Sequence, residues 1–428
     1  MTDSPSTGVR PSVAVIGSGV SGLTAAYVLR ETHDVTLFEA DDRFGGHAHT
    51  HTLAQDGATH RVDSGFIVHN DRTYPLLRRL FAELDVAVHP TEMSMSIHCD
   101  GCGLEYAGGR KLPGLFAQRR RLLDPRYLRL LLGVKRFQRL ALALLDTEPD
   151  AAEPQTYGDF LRHHGFGEYF VSHYAIPVVS CVWSSGHDVA LQYPARYLFT
   201  FLRHHGFLSI SGSPQWFTVQ GGSGTYVDKV IEQVRDARAG TAVRSVRRTG
   251  SGVVVTDIEG VEHHRDKVVV ATHADDALEL LEDPSPDEKQ VLASFGYSAN
   301  ETVLHTDDSL LPDAPAARAS WNYRMDACGK REESTAVTYW MNRLQGIESA
   351  RPYVVSLNSA ERIDPDAVLA TMHYTHPVYT PDSVAAQAGL PSLNDGRTAF
   401  AGAYHGWGFH EDGCRSGVEA ARSLGVTW

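Results

Sequence analysis

SVAVIGSGVSG, residues 12–22, is the stretch whose reading decides the fold. Ser12–Gly17 is a short apolar run ending in glycine, the pattern of a parallel strand buried on both faces. Val20–Arg30 follows with helical spacing and begins among small residues, and Asp34–Glu39 (DVTLFE) reads as a second strand. The three form a β-α-β unit. Its loop carries Gly17, Gly19 and Gly22. The first permits a tight turn, the second lets backbone approach a pyrophosphate, and the third lets the helix pack close to the strand. The helix N-terminus, where Val20 and Ser21 lie, then turns N–H groups and its positive dipole end toward phosphates. Glu39 closes the second strand 17 residues after Gly22, where a carboxylate can accept hydrogen bonds from a ribose diol. The glycines alone are a weak signal. With strand, helix and acid in place they point to a dinucleotide, NAD or FAD.

Working outward, Glu39 is followed by ADDRFGGH, which sets Arg43, Gly45 and Gly46 within seven residues of the acid. An arginine with two glycines can lie along a pyrophosphate. Here the chain resembles the flavin-containing amine oxidase and phytoene desaturase superfamily, whose signature is G-x-G-x-x-G, an acid, then R-x-G-G. The resemblance implies FAD, with Ala40 and His47 near it. VDSGFIVHN (Val62–Asn70) resembles the family's segment passing beside the flavin, which implicates Asp63, Gly65 and Phe66. FAGAYHGWGFHEDGCRSGVEAA (Phe400–Ala421) resembles the C-terminal flavin motif and implicates Gly402, Ala403, Glu411, Asp412 and Gly413. Thr241–Val246 resembles the strand whose backbone at Val243 receives the adenine, and KVVVATHA (Lys267–Ala274) the strand and turn at Ala271 and Thr272 that close the nucleotide domain.

GFIVHNDRTYP (Gly65–Pro75), FLRHHGFL (Phe201–Leu208), QWFTVQGGSGTYV (Gln215–Val227) and YTHPVYT (Tyr374–Thr380) carry a narrower likeness. They resemble bacterial NAD/FAD-binding proteins similar to the N-terminal oxidase-like region of plant cyclopropane-fatty-acid synthases. That likeness implies a hydrophobic acyl-lipid substrate, desaturation, and a lipid methyltransferase as partner.

The fold class expected is α/β: a two-domain FAD-binding flavoprotein of amine oxidase type. A glutathione-reductase-like nucleotide domain is expected from residues 10–75, 215–275 and 385–428, and an inserted mixed α+β substrate domain from 76–214 and 276–384. Residues 110–145 read as two basic, leucine-rich helices broken near Pro125, and 157–205 as mostly helical. Thr225–Ala237 suits a helix, and Val243–Thr256 two strands around the turn Thr249–Gly252. Val303–His305, Ala336–Trp340 and Met372–Tyr374 are strand-like, and the chain ends on a strand, Ala399–Gly402, and a helix from about Gly413.

A hydride transfer to flavin needs little acid–base help, but a desaturation needs a base for the second proton. His405, His410, Glu411 and His376 are the candidates, by their closeness to the implied flavin face. Each has a plain structural alternative, a histidine bonded to a carbonyl or a carboxylate capping a helix. The lysine that often serves amine oxidases has no convincing equivalent, since Lys330 is the only lysine after Lys289 and its setting reads as a loop. The rivals are an amine oxidase, a redox-neutral flavin-dependent isomerase, and a flavin-binding partner without turnover. His47, His49 and His51 alternate, but nothing completes a metal set, so His47 is placed near the flavin and the others on the surface. Cys99 and Cys102 form C-x-x-C with no second pair, which reads as a loop with incidental thiols and no metal.

Over its 428 residues the chain carries a net charge of −13, which argues against nucleic-acid binding. The polar start lacks the basic and apolar parts of a signal peptide, and no stretch offers the roughly 18 apolar residues of a membrane span, so a cytoplasmic protein is expected. Between Arg110 and Arg139 stand ten Lys/Arg against one acid, Asp124. Arg126, Arg129, Arg136 and Arg139 recur near helical spacing beside a leucine-rich face. That pattern suits an ordinary amphipathic helix, or peripheral contact with a membrane through residues 110–145.

Overall fold

The computed structural model describes residues 10–55, 57–148, 155–209, 212–331 and 334–428. The polar start before residue 10 lies outside them. Val13, Ala14 and Val15 are fully buried, as their apolar run requires, and Ser12–Ile16 is the central strand of a five-stranded sheet. The order is Asp236–Arg238, Asp34–Phe38, Ser12–Ile16, Lys267–Val270 and Thr398–Phe400, with every pair parallel. Strands from the start, the late middle and the end of the chain therefore share one sheet. Thr225–Ala237 corrects the expected single helix. The helix is Gly224–Ile231, and Asp236–Arg238 turns back as an edge strand on Asp34–Phe38.

The last helix, His410–Ser423, begins three residues before the expected start and packs against the first, Val20–Leu29. The contact depends on the absence of side chains. A Cβ on Gly413 would stand 2.6 Å from Val20 Cγ1, and one on Gly417 2.4 Å from the Ser21 carbonyl oxygen. Gly22 is tighter still, since its Cβ would meet the Gly17 carbonyl oxygen at 1.8 Å. Gly417, together with the fully buried Ala420 and Ala421, gives this helix the small face that lets the two backbones approach.

A seven-stranded sheet lies apart from the first, in the order Val368–Val378, Gly296–His305, Val354–Leu357, Val337–Trp340, Trp321–Met325, Met95–Cys99 and Leu104–Gly108. Its pairs are antiparallel except Trp321–Met325 with Met95–Cys99. Of the strands expected within it, Val303–His305 and Met372–Tyr374 belong to longer ones, Gly296–His305 and Val368–Val378, and the third is Val337–Trp340, one residue shorter at its start than expected. Against it stands a helical layer with an aromatic core, in which Tyr127, Phe137, Tyr157, Phe160 and Phe199 are fully or almost fully buried. Pro125 opens the 21-residue helix Pro125–Leu145, capped by the Asp124 carboxylate, where it needs no N–H of its own.

Cys99 and Cys102, expected as thiols without a second pair, have company in the fold. Cys99 ends its strand, Cys102 sits in the turn beyond, and the fold brings His173 and Cys328 to them. Sequence distance hid the set, because these partners come from a π-helical turn and from the end of a parallel neighbour strand.

Gly417→Val tests the helix contact. Overpacking is expected to cost about 1–3 kcal/mol, seen as a lowered thermal midpoint with reduced flavin content. An unchanged midpoint would show that the helices do not depend on that approach.

Candidate active site

The parallel strands end at a cavity of about 880 Å³ that runs from the glycine loop into the helical layer. Gly17, Gly19, Val20 and Ser21 line it. Gly17 holds φ +95°, and a Cβ there would press on the Ala271 carbonyl oxygen at 2.7 Å. A Cβ on Gly19 would meet nothing within 4 Å. The helix it caps has no side-chain cap, so its first N–H groups are left to a ligand. Gly46 faces Gly19 across the loop, its Cβ position 3.2 Å from the Gly19 Cα. Two bare backbones thus enclose a strip suited to a pyrophosphate. Glu39 accepts hydrogen bonds from the N–H and hydroxyl of Ser18 and from the Asp41 N–H, which holds its carboxylate at the cavity wall.

Ala40, Arg43, His47, Gly65, Phe66, Val243, Ala271, Thr272, Gly402 and Ala403 also line the cavity. These residues fit FAD, with an open helix N-terminus, an acid for a ribose and apolar walls beyond.

Several implicated residues stand behind the wall instead. Gly22 serves the helix–strand contact. Gly45, at φ +113°, donates its N–H to Ser18 and shapes the turn. Asp63 is fully buried and accepts bonds from Thr50, Gln345 and the N–H and hydroxyl of Ser223, tying three segments together. Burial raises its carboxyl to about 6 against those bonds. Gly413 packs on Val20, and Asp412 accepts from the N–H groups of Trp407 and Phe409 and pairs with Arg415 at 2.6 Å, which fixes the C-terminal turn.

The base candidates divide in the same way. Glu411 does not line the cavity. Its two oxygens accept the N–H groups of Leu76 and Leu77, each at 3.0 Å, so it caps the helix Pro75–Glu83 from across the fold. His405 lies outside the lining, with the Tyr404 ring at 4.8 Å between ring centres. His376 lines the cavity, and its Nδ1 accepts a hydrogen bond from the Asn300 amide, which also donates to the Ser298 carbonyl. A carbonyl only accepts, so the amide nitrogen is fixed as the donor and the His376 proton is fixed on Nε2. His376 is therefore a donor toward the cavity, not a resting base. His410 lines the cavity, stacks on Phe66 at 3.6 Å, and keeps a buried Nε2 without a partner. Burial pulls its pKa down to about 3, so the ring is neutral near pH 7. His47 has a similarly unpartnered Nε2. His49 and His51 are not free surface rings. They are half-buried and bonded to Tyr374 and Ser64 respectively.

Sequence reasoning missed the far chamber. Trp183, Phe201, Phe207, Trp216, Trp321 and Tyr339 line it, joined by ring contacts such as Trp183–Phe201 at 4.6 Å and Phe201–Phe409 at 4.7 Å. The crowding of aromatics and histidines in 157–205 was its one visible signal. Among the described residues, the charged side chains lining the cavity come from 39–43, Arg244 and the helix Ala274–Leu280, and none from the chamber segments.

Residues 20–317 match the model of flavin containing amine oxidoreductases. The chain belongs to that family. It is thus a flavin-dependent oxidoreductase by family, with FAD as cofactor. The chain is 43% identical over 54 residues to the flavin-dependent L-tryptophan oxidase RebO of Lentzea aerocolonigenes, 12% of this chain and 11% of that protein. It is 58% identical over 43 residues to probable polyamine oxidase 4 of Arabidopsis thaliana, 10% of this chain and 9% of that protein. The matches span about a tenth of these relatives' lengths. Cyclohexylamine oxidase from Brevibacterium oxydans IH-35A shares the fold with a TM-score of 0.69 and 16% identity, over 97% of this chain and 98% of that one. A CLA-producing fatty acid isomerase from P. acnes does so with a TM-score of 0.67 and 15% identity, over 98% and 100%. The amine oxidase type of α/β architecture therefore holds along nearly the whole chain. Among the described residues no lysine lines the cavity, and Lys330 pairs with Asp326 at 2.6 Å in a turn outside it.

Burial raises the Glu411 carboxyl to about 7, against the two N–H bonds that favour its charged form. A carboxyl raised in the folded state gives stability that is complete below its unfolded value, about 4.5, and is lost as pH rises through about 7. Glu411→Gln cannot ionise, so paired thermal melts are expected to show the variant gaining on the parent between about pH 5 and pH 8. Its flavin reduction should keep the parent's pH profile, and a lost alkaline or acidic limb would return Glu411 to the reacting site.

Proposed function

We propose that this flavoenzyme removes a hydride from a hydrophobic acyl chain and leaves a carbon–carbon double bond. The uncharged aromatic chamber carries the reading. An ammonium or carboxylate placed there would be stripped of water with no opposite charge to meet it, at a cost of several kcal/mol. An alkyl chain loses nothing polar on entry, and each buried methylene contributes about 0.8 kcal/mol.

Bound FAD would supply the two-electron acceptor for the hydride. The chain's own residues do the rest. The aromatic wall aligns the alkyl segment and excludes water. His410, which lines the cavity and is neutral because it is buried, takes the proton lost from the adjacent carbon. The C–H pair leaves as hydride and proton, and the two carbons keep the electron pair as the new π bond. Phe66 holds the imidazole plane by stacking.

The basic segment supports a lipid source for that chain. Leu112, Leu122, Leu123, Leu128 and Leu132 are exposed, Leu123 at 89%, among Lys111, Arg119, Arg120, Arg126 and Arg129. Exposed leucines beside exposed arginines suit an anionic bilayer surface. Arg121 differs from its neighbours, being buried and bonded to Asp124 and the Cys102 carbonyl, so it braces the turn. No helix among the described residues is long and apolar enough to cross a membrane.

Anaerobic mixing of the holoprotein with phospholipids, fatty acids and amines checks the chemistry. Acyl chains alone are expected to bleach the flavin's visible band. Bleaching by amines would restore amine oxidation, and acyl turnover without any acceptor would indicate an isomerase. No response to any class would favour a partner protein without turnover. His410→Gln should retain FAD and slow the bleaching about 10²–10⁴-fold.

Flotation with anionic liposomes checks the surface. Arg119→Gln and Arg129→Gln should each weaken binding about fivefold. Equal binding by parent and variants would remove the membrane contact.

A further inference from the structure

A cluster far from the flavin cavity has no part in the chemistry above. Cys99 ends the strand Met95–Cys99, and Cys102 and Gly103 follow in the turn, the latter at φ +60°. Met325, the last residue of the neighbouring parallel strand, pairs with Cys99, so the turn beyond it brings in Cys328. The two turns pack closely, since a Cβ on Gly101 would lie 2.8 Å from the Ala327 Cα. His173 enters from the π-helical turn Val171–Ala175 and is fully buried.

The ligand atoms all lie within 4.8 Å of one another. Cys99 Sγ is 3.7 Å from Cys328 Sγ, and His173 Nε2 is 3.6 Å from both Cys102 Sγ and Cys328 Sγ. A tetrahedral zinc with Zn–S of about 2.3 Å and Zn–N of about 2.0 Å has S···S edges of about 3.8 Å and S···N edges of about 3.5 Å. The observed spacings are those edges. They are too long for a disulfide, and the cysteines are free.

The imidazole is oriented for a metal. His173 Nδ1 lies 3.0 Å from the Tyr169 carbonyl oxygen, which can only accept. Nδ1 therefore carries the proton, and the lone pair of Nε2 points at the sulfurs, the arrangement that outer partners impose on ligating histidines. The backbone N–H groups of Cys102 and Leu104 bond to the sulfurs of Cys99 and Cys102, as thiolates require. Three thiolates and one zinc leave a single negative charge, with Arg121 on the Cys102 carbonyl at 2.7 Å.

We propose that Cys99, Cys102, His173 and Cys328 bind one structural zinc ion, which staples the end of the seven-stranded sheet to the helical layer and braces the basic segment. A soft three-sulfur, one-nitrogen set in tetrahedral array selects zinc among common ions, and four protein ligands leave no open position for catalysis.

Elemental analysis of holoprotein purified without chelator tests this. Zinc near one per chain is expected in the parent and a near-complete loss in Cys328→Ser, whose exposed position lets the variant fold. FAD content should stay equal in both. Cobalt substitution should give the visible bands of tetrahedral thiolate ligation in the parent alone. Parent protein that takes up no zinc under reducing conditions, binds iron instead, or matches Cys328→Ser in zinc content would overturn the proposal. A Cys99–Cys328 disulfide found in the freshly purified parent would do the same.

Discussion

The close approach of the first and last helices governs the molecule. Gly413 and Gly417 let His410–Ser423 lie against Val20–Leu29 with backbone nearly touching backbone. Only then does the turn Ala403–His410 reach the same cavity as Gly17–Ser21. The contact joins residues about four hundred apart, and its loop-closure cost is borne by burial around it, with Leu23, Ala25, Ala420 and Ala421 all fully buried. One small-residue face thus builds a nucleotide site from the two ends of the chain.

Burial also sets the chemistry. Water is excluded around His376 and His410, and both rings are held neutral, at about 4 and about 3. Neutral rings serve as donor or acceptor according to what the other nitrogen meets. Asn300 fixes that choice for His376, while His410 is held between the Phe66 face and the Tyr226 ring edge. The charged side chains of the cavity stay with the nucleotide half, so polarity falls along its length. A nucleotide end followed by an apolar chamber is the gradient that the proposed acyl-chain chemistry requires.

The nucleotide half was legible because its signals are local. Gly17, Gly19, Glu39 and Arg43 each do their work within thirty residues of one another. The chamber was not, because Trp183, Trp216 and Trp321 come from separate segments, and an aromatic facing a cavity has the same sequence pattern as one facing a core. Which reading of Glu411 holds, base or helix cap, was hidden for a related reason, since the helix it caps at Leu76 and Leu77 is 334 residues and more away. The cysteine set failed the same way, as C-x-x-C is visible but His173 and Cys328 become neighbours only through a parallel strand pair. The helix over 225–237 was overextended because Val234 and Ala237 continue an apolar period that the sheet edge captures.

Gly19 separates fold from cofactor better than any other position. Its backbone is unstrained, at φ −61°, and a side chain there would meet no protein atom within 4 Å. It would instead occupy the strip between the two bare backbones. The most direct test is the FAD content and thermal midpoint of Gly19→Val beside the parent. The account predicts a folded protein that melts with flavin-stripped parent and carries almost no FAD. A variant that keeps a full complement of FAD would contradict it.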